Sequence, residues 1–254
     1  MKHYKTLLVV IGLMTTLSSN SQTVDEIIDG YFENTGGKEN WQALKGLKIS
    51  AKMNQGGMEF PLEIVQLIDG RTYTKITIQG AVLMQNVYDG ETLWSTNFAS
   101  MKGEKSDAEQ TENYKLDIND FPDALLDYKK KGYSAELLGT EIIDGSETFK
   151  IKLTKEPKTI DGEKVEDITY YYFDQESFIP IAQDSEIKQG PQKGAIQRIT
   201  QSDFLEVDGL YFPFSQTAGI KDGPSQPIII ESIELNPEVD DSVFALPKAE
   251  GEED

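Results

Sequence analysis

The sequence VDGLYFP, at residues 207–213, places an Asp-Gly step between two apolar runs. A tight two-residue hairpin turn favours positive φ at its central positions, and Asp-Gly tolerates this better than most pairs. Five more steps have the same setting, whereas a seventh, Asp29-Gly30, lies in helical surroundings. The five are Asp69-Gly70, Asp89-Gly90, Asp144-Gly145, Asp161-Gly162 and Asp222-Gly223. They predict a meander of antiparallel strands, which avoids exposing an apolar face if it curls.

The first 21 residues have the pattern of a secretory signal peptide. Lys2 and Lys5 precede a mostly apolar run at 6–17, which is too short to span a bilayer. Small residues follow, so we expect cleavage after Ser21; the pattern restricts the cleavage site to residues 18–23. The expected mature protein is exported to the periplasm as one domain over 22–248, with an acidic disordered tail at 249–254.

Composition excludes several classes of function. The net charge is −20, and loss of residues 1–21 would leave 22 basic against 44 acidic residues, a net charge of −22. That balance opposes binding to nucleic acid or to anionic lipid surfaces. The chain has no cysteine, and its one histidine, His3, precedes the expected cleavage site. Ser-His and Cys-His catalysis and His or Cys metal ligation are therefore not expected, and we expect neither a cofactor nor a metal.

Periodicity predicts a mainly β chain with a few helices. An apolar stripe predicts a helix over 24–35, with a capping box formed by Thr23 and Glu26. A short helical turn follows at 39–44. We expect a surface loop at 99–119 and a helix at 121–131 that packs on the concave face of the sheet. Strands are predicted at 47–53, 58–68, 72–79, 82–88, 92–97, 133–141, 148–155, 167–173, 178–187, 195–204, 210–217 and 227–236.

Carboxylates are the remaining chemical groups of interest. A two-carboxylate hydrolase stays open as an alternative, and it requires a cleft with two facing acids and a raised pKa. Acidic residues at 203, 206 and 208, or at 240 and 241, are better interpreted as turn and cap residues than as calcium ligands. Arg198 lies mid-strand, so we expect it to pair with a carboxylate on a neighbouring strand.

Several segments resemble the LolA and LolB family of outer membrane lipoprotein carriers, most closely its lipoprotein-sorting branch. They occur in order along most of the chain after the expected signal peptide. They are the first helix running into GGK at 36–38 and LKGL at 44–47, YDGETLW at 88–94, YYFD at 171–174 with IPI at 179–181, VDGLYFP at 207–213, and NP at 236–237 with VFALP at 243–247.

The resemblance implies an α+β, mainly β fold: a curved antiparallel sheet, or unclosed barrel, with an N-terminal helix and short helices that cover an apolar cavity. It implies a non-catalytic carrier that receives lipoprotein acyl chains or related lipids from an inner-membrane ABC-type extractor. Such a carrier passes them to an outer-membrane receptor. An envelope-stress sensor of the same fold is an alternative. The chain lacks both the proline that precedes the carrier's gating arginine and the lipidated cysteine of the receptor.

The candidates for the lid and its gating are Leu125 and Leu126, from the predicted helix at 121–131, and Arg71, which opens a strand after Asp69-Gly70. The alternative for Arg71 is a hairpin-edge arginine in a cross-strand pair. Strand alternation gives the candidates for the cavity lining, which are Met53, Leu62, Ile64, Ile76, Ile78, Met84, Trp94, Phe149, Ile151 and Tyr170.

Overall fold

One large antiparallel sheet dominates the computed structural model, which describes residues 22–247. The predicted signal peptide and acidic tail lie outside the described residues. The described residues contain three α-helices, α1 (Val24–Asn34), α2 (Lys38–Gln42) and α3 (Ala108–Asp117). The strands are β1 (Gly46–Gln55), β2 (Met58–Leu67), β3 (Thr72–Ile78), β4 (Ala81–Tyr88), β5 (Leu93–Thr96), β6 (Gly103–Lys105), β7 (Ser134–Ile143), β8 (Ser146–Thr154), β9 (Lys158–Ile160), β10 (Glu163–Val165), β11 (Ile168–Asp174), β12 (Pro180–Glu186), β13 (Ile196–Val207), β14 (Leu210–Ile220) and β15 (Ser225–Leu235).

The sheet is a meander whose two ends do not meet. Its strand order is β6-β5-β4-β3-β2-β1-β15-β14-β13-β12-β11-β8-β7, and β9 and β10 form a separate hairpin. The sheet is curved but does not close into a barrel, as predicted. Strands β1 and β15, the first and last strands of the described chain, pair in the middle of the sheet. The free edges, β6 and β7, come from the middle of the sequence.

All six Asp-Gly steps lie between strands that pair as hairpins, which confirms the prediction. At Asp144-Gly145, Asp161-Gly162 and Asp208-Gly209 both residues have positive φ, the geometry that a two-residue turn requires. At the other three steps only one of the two residues has positive φ. Asp29-Gly30 lies inside α1, also as predicted.

Helix α1 begins at the predicted capping box. The Thr23 side chain accepts a hydrogen bond from the Glu26 amide, and the Glu26 carboxylate accepts one from the Thr23 amide. Its buried face includes Ile27, Ile28 and Phe32. These side chains pack on the concave face of the sheet against residues of β8, β11 and β14. The concave face is therefore the side of the sheet that carries the helices and the main core.

Two predictions for the middle of the chain are wrong. The expected loop at 99–119 contains strand β6 and helix α3. Helix α3 has no apolar periodicity in its sequence because none of its residues is buried. Asp107 and Gln110 do form a capping box at its start. The expected helix at 121–131 consists of turns. There the Asp123 carboxylate accepts a hydrogen bond from the Leu125 amide, and Asp127 has a φ of 51°, both of which favour turns over helix.

Candidate functional site

The concave face is crossed by a single connecting segment, residues 106–133, which we call the strap. It leaves the edge strand β6 and enters the opposite edge strand β7. Its first half contains α3 and a one-turn 3₁₀ helix, Ile118–Asp120, and its second half is a series of turns. Because the sheet stays open, the chain has to span the gap between its edges, and the strap does so.

One end of α3 is held by the turn between β2 and β3. The Tyr114 hydroxyl donates a hydrogen bond of 2.6 Å to the Gly70 carbonyl. Gly70 has a φ of +88°, and a Cβ placed there would lie 2.6 Å from the Ile118 side chain. The contact requires glycine for both reasons. The Asp69-Gly70 step therefore serves as a turn and also as a docking point for the strap.

The other side of α3 is held by the β9–β10 hairpin through polar groups. The Asn113 side chain donates to the Thr159 carbonyl and accepts from the Thr159 amide, at 2.6 and 2.8 Å. The Glu109 carboxylate accepts from the amides of Asp161 and Gly162. Helix α3 thus has no buried residue, and it is held over the sheet by polar interactions and by the contact of the Tyr114 ring with Tyr88, whose centres are 4.9 Å apart.

The second half of the strap is part of the main core. Leu125 and Leu126 are buried against α1 and the sheet. The Tyr128 hydroxyl donates to the Asp25 carboxylate at 2.8 Å, and Lys129 pairs with the same carboxylate. The strap is therefore anchored by apolar packing at its β7 end and by hydrogen bonds around α3.

A cavity of about 630 Å³ lies between the first part of the strap and the concave face. Its volume is in the range of small-molecule sites. The sheet side includes Ile64, Gln66, Thr72, Thr74, Tyr171, Gln183 and Gln201, and the strap side includes Tyr114, Asp117, Ile118, Asp120, Phe121, Pro122, Asp123 and Ala124. The lining is mixed, with many polar groups, and differs in this from the apolar cavity that we expected.

Three carboxylates line this cavity, and each is already engaged. Asp117 accepts from Lys155 and Lys158, and Asp120 accepts from Lys155 and from the Tyr133 hydroxyl. The Asp120 contact with Lys155 is short, at 2.6 Å. The strap is thereby tied to residues that follow β8.

The third carboxylate, Asp123, belongs to a less polar environment. It accepts a 3.0 Å hydrogen bond from the Tyr31 hydroxyl of α1 and another from the Leu125 amide. Burial raises the pKa of the Asp123 carboxyl, and the two hydrogen bonds oppose the rise. Burial also raises the pKa of Tyr31, and the neighbouring Asp123 charge adds to the effect.

Beyond the cavity, the concave face becomes aliphatic. Ala51, Leu62 and Ile230 are buried there, and several partly exposed apolar side chains surround them. These partly exposed neighbours are Ile49, Met53, Ile76, Phe214, Ile228 and Ile233. We call these nine residues, of which Phe214 alone is aromatic, the aliphatic surface. It is continuous with the cavity through Ile64, which pairs with Ile49 across β1 and β2.

Seven of the ten candidate lining residues lie on the concave face. Cross-strand partners share a face, and the register pairs Met53 with Phe60, Ile49 with Ile64, and Leu62 with Ile76. Of the seven, Ile64 lines the cavity, while Met53, Leu62 and Ile76 belong to the aliphatic surface. Ile78 lies next along β3 on the same face, where it pairs with Ala81. The other two, Phe149 and Ile151, pack in the main core.

The remaining three candidates, Met84, Trp94 and Tyr170, lie on the convex face. The turn between β3 and β4 pairs Ile76 with Leu83, so Met84 points to the opposite side. A bulge near Asn86 then places both Val87 and its partner Trp94 on that side too. Tyr170 is assigned to the wrong face because the register pairs its neighbour Tyr171, not Tyr170, with Ile151. Only the position of Trp94 depends on the bulge, since an unpaired residue inverts the assignments that follow it.

Trp94 is a core residue of the convex face. It is buried with Val65, Val87 and Phe244, and its indole N–H donates to the Phe244 carbonyl at 2.8 Å. Phe244 belongs to a 3₁₀ helix, Asp241–Phe244, near the end of the described chain. Tyr170 lies in another convex cluster, which includes Tyr172 and Ala182.

The three lid candidates are near the strap, in different roles. Leu125 and Leu126 are strap residues, buried in the main core. Arg71 lines the cavity at its rim, where its guanidinium pairs with Asp69 at 2.9 Å and with Asp241. It also lies 5.3 Å from the centre of the Phe244 ring. Arg71 therefore joins the strap's docking turn to the segment that covers the convex face.

Sequence reasoning missed the polar part of the lining. Gln66, Thr74, Gln183 and Gln201 lie on strands and point into the cavity. Their signal was present: along β2 and β3 the residues two positions away, such as Ile64 and Ile76, are apolar and face the same side. Because we expect an apolar cavity from the sequence, only apolar residues are candidates for its lining, and these four polar residues are not among them.

Comparison with solved structures places the fold among LolA-like proteins. A LolA superfamily protein from Nitrosomonas europaea matches with a TM-score of 0.52 at 13% identity, over 89% of this chain and 98% of its own. A DUF1329 family protein from Desulfovibrio piger matches with a TM-score of 0.53 at 14% identity, over 87% of this chain and 97% of its own. A Vibrio parahaemolyticus domain, described as a putative outer membrane lipoprotein-sorting protein domain, matches with a TM-score of 0.51 at 12% identity, over 86% of this chain and 94% of its own.

These similarities confirm the fold predicted from the resemblance. At 12–14% identity they establish the fold alone. No protein-family model and no curated protein matches the sequence. Within residues 22–247, no helix has the length and apolar character needed to cross a membrane.

Proposed function

We propose that this protein is a non-catalytic periplasmic carrier or binding protein for lipoprotein acyl chains or related lipids. One observation carries the proposal: the open concave face joins a cavity of about 630 Å³ to an aliphatic surface, under a strap that links the two sheet edges. A long apolar chain could bind in this site, where the strap shields one part of it and the aliphatic surface leaves the other part accessible.

The energy required for such a site is modest. Burial of an acyl chain contributes about 0.8 kcal/mol per methylene group. A carrier must bind its cargo more tightly than the donor and less tightly than the receiver. A partly open surface, on which Ile76 and Ile228 remain half-buried, suits that intermediate affinity better than a closed core.

The fold supports the same proposal at a coarser level. The Nitrosomonas and Vibrio proteins are described as a LolA superfamily protein and a lipoprotein-sorting domain. By analogy of fold, an inner-membrane ABC-type extractor would supply the cargo and an outer-membrane receptor would accept it. Fold analogy does not define a function by itself, so these partners and the periplasmic location are parts of the proposal.

The engaged carboxylates of the cavity favour a binding role over hydrolysis. A two-carboxylate mechanism needs one acid that protonates the leaving group and another that attacks it or activates water. Here Asp117 and Asp120 are paired with lysines, and Asp123 accepts hydrogen bonds from Tyr31 and Leu125. Each group therefore has a structural role that explains its place in the lining.

Native mass spectrometry after gentle purification tests the proposal. We expect a bound species with the mass of a lipid or acylated peptide, released when the protein is denatured. The delipidated protein should then bind a fluorescent acylglycerol in a saturable way. A protein that carries no lipid and does not bind the acylglycerol would contradict the proposed function.

A further inference from the structure

Four polar side chains face one another across the cavity. Gln66 and Thr74 project from β2 and β3, and Gln183 and Gln201 project from β12 and β13. In the part of the chain that the structure describes, these four side chains form no hydrogen bond with another protein group. Amides and hydroxyls in that state are available donors and acceptors for a ligand.

The polarity of the concave face changes in one direction along two neighbouring strands. Along β2 the concave residues run Gln66, Ile64, Leu62 and Phe60, and along β3 they run Thr72, Thr74, Ile76 and Ile78. The polar end lies under the strap, and the apolar end leads onto the aliphatic surface. An amphipathic molecule therefore fits with its head under the strap and its chain along β2 and β3.

Among residues 22–247, the charged side chains that line the polar end include no unpaired cation. Asp117, Asp120 and Asp123 line the cavity, while the lysines that pair with the first two, Lys155 and Lys158, are not part of the lining. Arg71 does line it, but its guanidinium is occupied by Asp69 and Asp241. A phosphate or carboxylate head group would lose its hydration there and meet carboxylates in place of free cations.

We propose that the cavity binds an uncharged head group, rich in hydroxyl or amide groups, of an acylated ligand. Its acyl chain lies along β2 and β3 towards Phe60 and Ile78. The inference rests on the proposed carrier function and adds to it the class of head group and the orientation of the ligand. Hydrogen bonds from the cavity glutamines and Thr74 select for the head group, and an anion is disfavoured because it would lose its hydration and find no unpaired cation in the described lining.

Two lipids with the same chain test the inference by calorimetry. Monolauroylglycerol carries an uncharged diol, and lauroylglycerol 3-phosphate adds a phosphate to the same glycerol. At neutral pH and below the micelle concentration of each lipid, we expect monolauroylglycerol to bind about tenfold more tightly. Equal affinities, or tighter binding of the phosphate, would overturn the inference.

A variant pair tests the role of the glutamines. In the double variant Gln183→Leu, Gln201→Leu we expect the affinity for monolauroylglycerol to fall about tenfold, since its hydroxyls lose their partners. Gln197→Leu is the control, because Gln197 is an exposed glutamine of the same strand as Gln201, outside the cavity. If the double variant and the control bind equally well, the head group does not lie at these glutamines.

The same measurements separate the two proposals. If neither lipid binds, the carrier function itself fails, and the head-group inference fails with it. If both lipids bind with equal affinity, the carrier function stands and only the head-group inference is overturned.

Discussion

Asp184 shows how a single residue stabilises the convex face. Its carboxylate is buried and accepts two hydrogen bonds from Arg198, at 2.6 and 2.7 Å, and one each from Tyr172 and Lys221. Arg198 is directly opposite Asp184 on the neighbouring strand, which confirms the predicted cross-strand pair. Burial opposes ionisation of Asp184, but the hydrogen bonds outweigh it and lower its pKa.

We predict that Asp184→Asn lowers the free energy of unfolding by about 2–3 kcal/mol, because Arg198 and Lys221 lose their counter-charge. Urea denaturation of the variant and the wild-type protein at neutral pH measures this difference in the free energy of unfolding. Glu186→Gln, on the same strand and in an exposed pair with Lys188, should change stability by less than about 0.5 kcal/mol. Equal effects from the two variants would show that the Asp184 cluster is not a stabilising network.

Asp123 should have the opposite pH dependence from Asp184. Because its folded pKa is raised, its contribution to stability is fully present below the unfolded pKa of about 3.9 and is lost as pH rises through the folded pKa. The pKa of Asp184 is lowered, so the sign is opposite. The contribution of Asp184 to stability is present above the unfolded pKa of about 3.9 and is lost as pH falls through its folded pKa.

We therefore predict that Asp123→Asn leaves stability at neutral pH unchanged or higher, since the asparagine needs no ionisation in a buried position. It should also reduce the loss of stability that the wild-type protein undergoes as the pH rises above about 4. Urea denaturation of both proteins across this range measures the difference. A variant that is less stable at neutral pH, with an unchanged pH profile, would contradict the assignment.

At the level of elements, the strap is the least predictable part of the chain. Local sequence patterns predict α1 correctly, because Thr23 and Glu26 form its capping box and an apolar stripe follows them. They failed for α3, whose contacts with Gly70, Thr159 and the β9–β10 turn are polar and distant in sequence. The 121–131 segment has helix-like composition, but tertiary contacts of Asp123 and the buried leucines select turns.

We predict that Gly70→Ala loosens the strap. An alanine Cβ would collide with Ile118, and the φ of +88° adds backbone strain of about 1–2 kcal/mol. Hydrogen exchange over 108–117 should then become faster. The matched control is Gly145→Ala, since Gly145 has a φ of +90° but a Cβ placed there would have no other atom within 4 Å. Equally fast exchange of 108–117 in both variants would mean that Gly70 does not hold α3.

For the whole molecule, the Asp-Gly turns account for the local hairpins but not for the order of the whole sheet. Hairpins such as β13–β14 follow from turn chemistry and alternation. The pairing of β1 with β15 joins strands about 180 residues apart, and no local pattern specifies it. The edges β6 and β7, and hence the position of the strap and cavity, depend on that pairing. For this reason the individual hairpins could be predicted from the residues, whereas the order of the whole sheet and the polar cavity could not.

Two adjacent isoleucines of β15 allow the most direct test of the central claim, that the concave face binds acyl chains. Ile228 belongs to the aliphatic surface, whereas Ile229 points to the convex face and is exposed. Binding of a fluorescent acylglycerol should weaken about tenfold in Ile228→Ser, because an apolar contact is lost. In Ile229→Ser it should stay within about twofold. Equal binding by both variants, or a larger loss in Ile229→Ser, would contradict the claim.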